Sequence, residues 1–156
     1  MLSEKDKTGV LTVLGQEKEK ALSLFKKLAN TQFGENTKLL MCEAEKFDVG
    51  FGFSIKPYAN LYDEVPIIDE NGKEQYIMDG YGSFSIAFDE AVDWEELESS
   101  GDPDEFFEDV EPIFLHWLHE LWTSVGNRTL KIPLYLLFHG DYPNYYNINT
   151  GKYEQD

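Results

Sequence analysis

Between Lys73 and Arg128 the chain has no lysine or arginine, although the 54 intervening residues hold 15 carboxylates. That scarcity excludes the stretch as a binder of nucleic acid or of an anionic membrane, since both would be repelled. Cysteine is almost missing too. Cys42 stands alone, which excludes an intrachain disulfide and makes a cytoplasmic location the expectation. Long apolar runs are lacking as well: the longest near the N-terminus is Val10-Leu11-Thr12-Val13-Leu14, behind Glu4 and Asp6. It is too short for a signal peptide's apolar region or a bilayer span, so a soluble protein is expected and the Asn127-Arg128-Thr129 sequon carries little weight. No repeat and no Pro/Gly/Ser-rich linker divides the 156 residues, which predicts one domain over 1–156.

Motifs that would name a reaction are likewise missing. There is no phosphate-cradling glycine loop, dinucleotide fingerprint or G-x-S-x-G elbow. His116-Trp117-Leu118-His119-Glu120 spaces its histidines by three, where a zinc metallopeptidase needs His-Glu-x-x-His. His116, His119 and Glu120 are expected at the solvent edge of a helix, with His139 on a distant strand. Asp102-Pro103-Asp104 and the segment from Asp89 to Asp93 offer oxygens, but not the glycine and glutamate spacing of a calcium loop. Cys42, in an apolar strand beside Met41 and Ala44, reads as a small buried hydrophobe. The expectation is a non-enzyme with no catalytic residue, metal or cofactor.

What the chain does have is acid in one place. It carries 30 acidic and 13 basic residues, net −17, of which the stretch without cations accounts for −15. That same stretch contains Phe84, Ile86, Phe88, Trp94, Phe106, Phe107, Trp117 and Trp122, side chains a disordered acidic tail would lack. It therefore reads as folded surface.

Hydrophobic periodicity predicts the elements. Ala21, Phe25 and Leu28 form the stripe of a helix over about 16–30. Lys38 to Glu45 and Phe47 to Ile55 read as paired strands, the second with Val49, Phe51, Phe53 and Ile55 on one face and Gly50, Gly52 and Ser54 on the other. Gly80 to Phe88 repeats the pattern, with Phe84, Ile86 and Phe88 opposite Ser83, Ser85 and Ala87. Close helix packing over the small residues is the expectation, with a shallow docking groove as the alternative. Asp69-Glu70-Asn71-Gly72 reads as a hairpin turn between arms at Val65 to Ile68 and Gln75 to Met78. Asp102 as N-cap, Pro103 and Glu105 open a helix over about 103–125 that carries Phe106, Val110, Ile113, Trp117 and Leu121, with Gly126 as C-cap. Pro112 predicts a kink or a second start near Glu111. Thr129 to His139 and Tyr145 to Ile148 read as strands, with a turn at Asn149-Thr150-Gly151 and an end near Tyr153. The fold class is α+β: a mainly antiparallel sheet of five to seven strands packed with two principal helices.

The functional expectation follows from the acid. Asp89 to Glu111 holds 12 carboxylates in 23 residues. Asp104 and Glu105 suit a helix N-terminus, but Asp89, Glu90, Asp93, Glu95, Glu96 and Glu98 would repel one another across a short connector. A basic partner relieves that repulsion, so Asp89, Glu90, Asp93, Glu95, Glu96, Asp104, Glu105, Glu108 and Asp109 are the expected partner-binding residues. Trp94 and Leu97 would serve as apolar anchor, or else pin the segment to the core. Tyr142, Tyr145 and Tyr146 form a secondary contact surface or pack over the sheet edge. In charge, size and want of catalytic motifs the chain resembles bacterial immunity proteins and other inhibitors of cationic nuclease toxins, and phage nucleic-acid mimics; no residue pattern is shared from which site residues could be carried over. The expected partner is thus a basic protein, such as a toxin or a nucleic-acid-binding enzyme. An adaptor binding through its tyrosine segment is one alternative, and a small-ligand carrier or enzyme is another.

Overall fold

The computed structural model describes residues 2–47, 49–100, 103–125 and 130–155. The expected caps Asp102 and Gly126, and the expected strand start at Thr129, lie outside them. The chain runs α1 (Glu4–Ala29), β1 (Leu39–Phe47), β2 (Gly50–Tyr58), β3 (Ile67–Ile68), β4 (Glu74–Gln75) and β5 (Ser83–Ala87). It continues through α2 (Trp94–Ser100), α3 (Pro103–Val125), β6 (Leu134–Phe138), β7 (Asn144–Asn147) and β8 (Lys152–Gln155). Six strands form one sheet in the order β5-β2-β1-β6-β7-β8, and β3 and β4 form a separate pair. Among the described strands β1 and β6 pair in parallel and the other strand pairings are antiparallel. The fold is α+β, as the periodicities predict.

The first helix begins well before residue 16. Ser3 caps it, its Oγ accepting from the Asp6 amide at 3.1 Å, and Glu4 and Asp6 in the first turn and Lys26 and Lys27 in the last suit the macrodipole. Val10 and Leu14 extend the buried stripe of Ala21, Phe25 and Leu28 backwards. Gly15 and the β-branched Thr12 and Val13 weaken the local propensity, and burial of the stripe overrides it. The expected strand from Thr129 shortens to Leu134–Phe138, because Leu130 and Ile132 pack on the core ahead of the ladder. The expected hairpin arms reduce to the two-residue strands β3 and β4 around the same turn.

The core lies between one sheet face and the helices α1 and α3. Phe51 is at its centre, with ring centroids of Phe114, Phe107, Phe138 and Phe88 between 4.6 and 6.1 Å away. Phe25 of α1 meets Trp122 of α3 edge-on at 5.5 Å. The helices thus cover the bulky residues of β2 and β5, correcting the expectation that they would cover the small ones. Ser83, Ser85 and Ala87 are exposed on the opposite face. Gly50 is small for another reason: a Cβ there would collide with the Ile86 carbonyl of β5. The feature that closes Gly50 is therefore the neighbouring strand. A shallow depression of about 410 Å³ over Gly52, Ser54, Ser83 and Ser85 stays open.

Candidate docking surface at the acidic end

The acidic run has more structure than its sequence suggested. Trp94 to Ser100 is a helix, not a connector, and α3 runs unbroken through Pro112. After the buried Phe88, the chain turns through Asp89 and Glu90 with the Ala91 and Val92 amides donating to the Phe88 carbonyl at 3.0 and 3.1 Å. Asp93 then starts α2. Its Oδ1 accepts from the Glu96 amide at 3.1 Å, so this carboxylate has a structural duty.

Three aromatic contacts hold the segments together. Trp94 of α2 lies edge-on to Phe106 of α3 at 5.8 Å, Phe106 reaches Phe88 at 6.3 Å, and Phe107 lies 5.6 Å from Phe106. The turn at Asp89 and Glu90, the helix bearing Glu95 and Glu96, and the first two turns of α3 with Asp104, Glu105, Glu108 and Asp109 are thereby side by side. Asp109 is half-buried and the other carboxylates of this set are exposed. On the α1 side, Lys5 and Asp6 share a depression of about 410 Å³ with Asp93, Glu96 and Leu97. A seat for α1 exists here: a Cβ on Gly9 would stand 2.6 Å from the Ala91 carbonyl oxygen.

Trp94 pins α2 to the core. Its ring packs on Phe106 and its Nε1 donates to Glu98 Oε1 at 2.7 Å, while Leu97 also packs against core residues. The three tyrosines expected to share a surface do not. Tyr146 is 5% exposed and belongs to the core, its ring 5.3 Å from that of Tyr153, which corrects its placement on a contact surface. Tyr145, next along β7, projects to the other face and meets Tyr135 at 5.1 Å. Tyr142 is exposed, and its hydroxyl lies 2.8 Å from that of Tyr62.

The histidines also part company. His116 is exposed and pairs with Glu120 at 3.0 Å. His119 leaves the solvent edge expected of it: its Nδ1 is 2.7 Å from the Ile148 carbonyl, which can only accept, so Nδ1 carries the proton. Gly151 sits directly over that ring, where a Cβ would come within 3.0 Å. Among the described residues no three His, Cys, Asp or Glu side chains converge as a metal ion would require. Cys42 is buried, and burial pushes its thiol pKa up, as expected of a packing residue.

Two polar groupings escaped the sequence reading. On the open sheet face Tyr58 Oη donates to Glu43 Oε1, and Lys56 Nζ lies 2.9 Å from Glu43 Oε2 and 3.6 Å from Glu64 Oε1. The Glu43 hydrogen bond leads in raising the Lys56 pKa, and burial leads in raising that of Tyr58. Glu43 and Tyr58 line a cavity of about 400 Å³ with Met41, Leu61, Leu137 and His139. The signal for it was the two-residue period of Ser54, Lys56 and Tyr58 opposite Glu43. The other grouping is Glu111 on α3, 3.5 Å from Lys46 Nζ, which also lies over the Phe138 ring. Burial pushes the Glu111 carboxyl up, and Lys46 opposes that shift.

Comparisons of the chain with protein families, curated proteins and solved structures return no match. Among the described residues no helix is long and apolar enough to cross a membrane.

Proposed function

We propose that this chain is a non-catalytic, cytoplasmic protein-binding module whose acidic end docks a basic protein, in the manner of an immunity protein blocking a cationic nuclease toxin. One observation carries the reading: the Phe88, Phe106 and Trp94 rings clamp three carboxylate-bearing segments into one surface. Carboxylates fixed on a rigid support meet a cationic partner without first having to be gathered. In such a complex Glu95, Glu96, Glu105 and Glu108 stand in for phosphates or neutralise lysines and arginines of the partner. Steering by this field speeds encounter, and contact then depends on the fit of the two surfaces.

The test is capture of partners from native lysate by the wild-type chain and by the double variant Glu95→Lys, Glu96→Lys. Both side chains are exposed, so circular dichroism of the variant is expected to match wild type. The expected result is loss of the wild-type partner; its retention by the reversed-charge chain overturns the proposal. The cavity holding Glu43 with His139 on its rim supports a second reading, a small-ligand carrier. Ligand uptake there would be insensitive to the Glu95 and Glu96 reversal, which separates the two.

A further inference from the structure

Among the described residues no large exposed apolar side chain belongs to the 89–93 turn, α2 or α3, and such side chains occur elsewhere. Of the nine large apolar residues exposed among the described residues, five fall in the 62–79 segment between β2 and β5: Tyr62, Ile68, Tyr76, Ile77 and Met78. Tyr62 is 61% exposed, Tyr76 68% and Met78 85%. Isolated exposed apolar residues are ordinary, but such a concentration in 18 residues is not.

The segment's backbone is ordered by polar side chains. Asn60 Oδ1 accepts from the amides of Tyr62 and Asp63 at 2.8 and 3.1 Å, and Tyr62 shares its hydroxyl contact with Tyr142. Asp69 Oδ1 accepts from the amides of Asn71 and Lys73, both at 2.9 Å, and Asp69 Oδ2 from Gln75 Nε2 at 2.8 Å. Gly72, at φ 78°, completes that turn. Turn chemistry therefore holds the arm in shape while its apolar side chains face outward, which is preorganisation for a contact.

Charge decides what the contact is with. The 62–79 arm carries six carboxylates (Asp63, Glu64, Asp69, Glu70, Glu74, Asp79) against Lys73 alone. Lys56 at its base is taken up by Glu43 and Glu64. A second copy would bring the same excess against itself, and an anionic membrane would be repelled. We propose that the 62–79 arm is a second docking surface, which binds an amphipathic, cationic protein segment through Tyr62, Ile68, Tyr76 and Met78 with the arm's carboxylates around them.

This surface is distinct from the acidic end. Ile68 Cδ1 is 3.8 Å from the position of a Cβ on Gly34, beyond the C-terminus of α1, whereas Ala91, in the turn that leads into α2, lies against Gly9 near the N-terminus. At 1.5 Å per residue α1 is roughly 40 Å long, so the two surfaces lie toward opposite ends of it. A short partner segment occupies one or the other.

The experiment uses the full chain, isotopically labelled, with three synthetic probes of equal length: a lysine/leucine amphipathic peptide, its glutamate/leucine counterpart and an oligolysine. The lysine/leucine peptide is expected to shift amide resonances of the 62–79 arm. Its affinity for the Tyr76→Ser, Met78→Ser variant is expected to fall by about tenfold or more. Oligolysine is expected to perturb the α2 and α3 end and to bind that variant as it binds wild type. The Glu95→Lys, Glu96→Lys variant keeps the amphipathic peptide on the arm, so failure at the acidic end leaves this result readable. Four outcomes overturn the proposal: shifts confined to α2 and α3, unchanged affinity in the serine variant, equal binding of the glutamate/leucine peptide, or a wild-type dimer in sedimentation that the serine variant loses.

Discussion

Phe51 touches the rings of Phe88 just after β5, of Phe107 and Phe114 in α3 and of Phe138 in β6, stacking on Phe114 at 4.6 Å and 11°. Its removal strands every one of those contacts, and the strands around it leave little freedom to collapse. Phe51→Ala is expected to destabilise the fold by about 3–5 kcal/mol in urea unfolding. Glu111 presents the opposite case, a group whose ionisation the fold opposes. Its carboxyl pKa is raised above the ordinary 4.5, mainly by burial, so between that value and the raised one the folded state binds more protons than the unfolded chain. Folding stability from this group therefore falls as pH rises from about 4.5 through the raised value. Glu111→Gln is expected to raise the melting temperature at pH 7 and to leave it nearly unchanged near pH 3. An equal effect at both pH values would show that the substitution acts through packing alone. At this scale the sequence was readable wherever a residue's role is set by its own chemistry: Cys42 is buried and inert, and His116 is exposed. It misled where the role is set by a distant neighbour. His119 is locked by the Ile148 carbonyl 29 positions away, and no local pattern announces that.

Elements built on a repeating apolar pattern were legible. The alternation in β2 and β5 puts Phe51, Phe53, Ile55, Phe84 and Ile86 on one face, and that face is the one buried in the core. The stripe from Phe106 to Leu121 gave α3. The helix α2 was not legible, because a seven-residue helix offers too few positions for a period and its carboxylates read as connector. It is held by a local cap, Asp93 accepting from the Glu96 amide, and by a tertiary contact, Trp94 against Phe106. Which sheet face the helices cover was also misjudged, since Gly50 and Gly52 look alike in sequence. Gly50 answers to the backbone of β5, whereas Gly52 merely sits near the Phe47 ring. Pro112 predicts a kink or a second start near Glu111; there is no second start, since α3 is continuous through Pro112, with Val110, Phe114 and Leu115 buried on both sides of it. The ring lacks an N–H for the preceding turn, and Pro112 is exposed. Pro112→Ala is expected to stabilise the protein by about 1–3 kcal/mol, read as a higher urea midpoint with an unchanged slope.

For the whole molecule, the division of labour is between a packed side and charged ends. Helices α1 and α3 close one sheet face over an aromatic core, the acidic end gathers around Phe106, and the 62–79 arm presents apolar side chains near the other end of α1. The concentration of acid was visible in the sequence, and its convergence follows from three ring contacts that sequence could not supply. The exposed arm is visible in the sequence only as a hairpin, because apolar residues beside a turn do not themselves reveal whether another element covers them. We propose that the gathered carboxylates draw in a cationic protein by their field, a process with a kinetic signature. It is tested most directly by the association rate of the captured partner, measured by stopped flow between about 0.05 and 0.5 M salt. Electrostatic steering should lower the wild-type rate by roughly tenfold or more across that range, with a much flatter response for Glu95→Lys, Glu96→Lys. A wild-type rate that stays level across that range would contradict it.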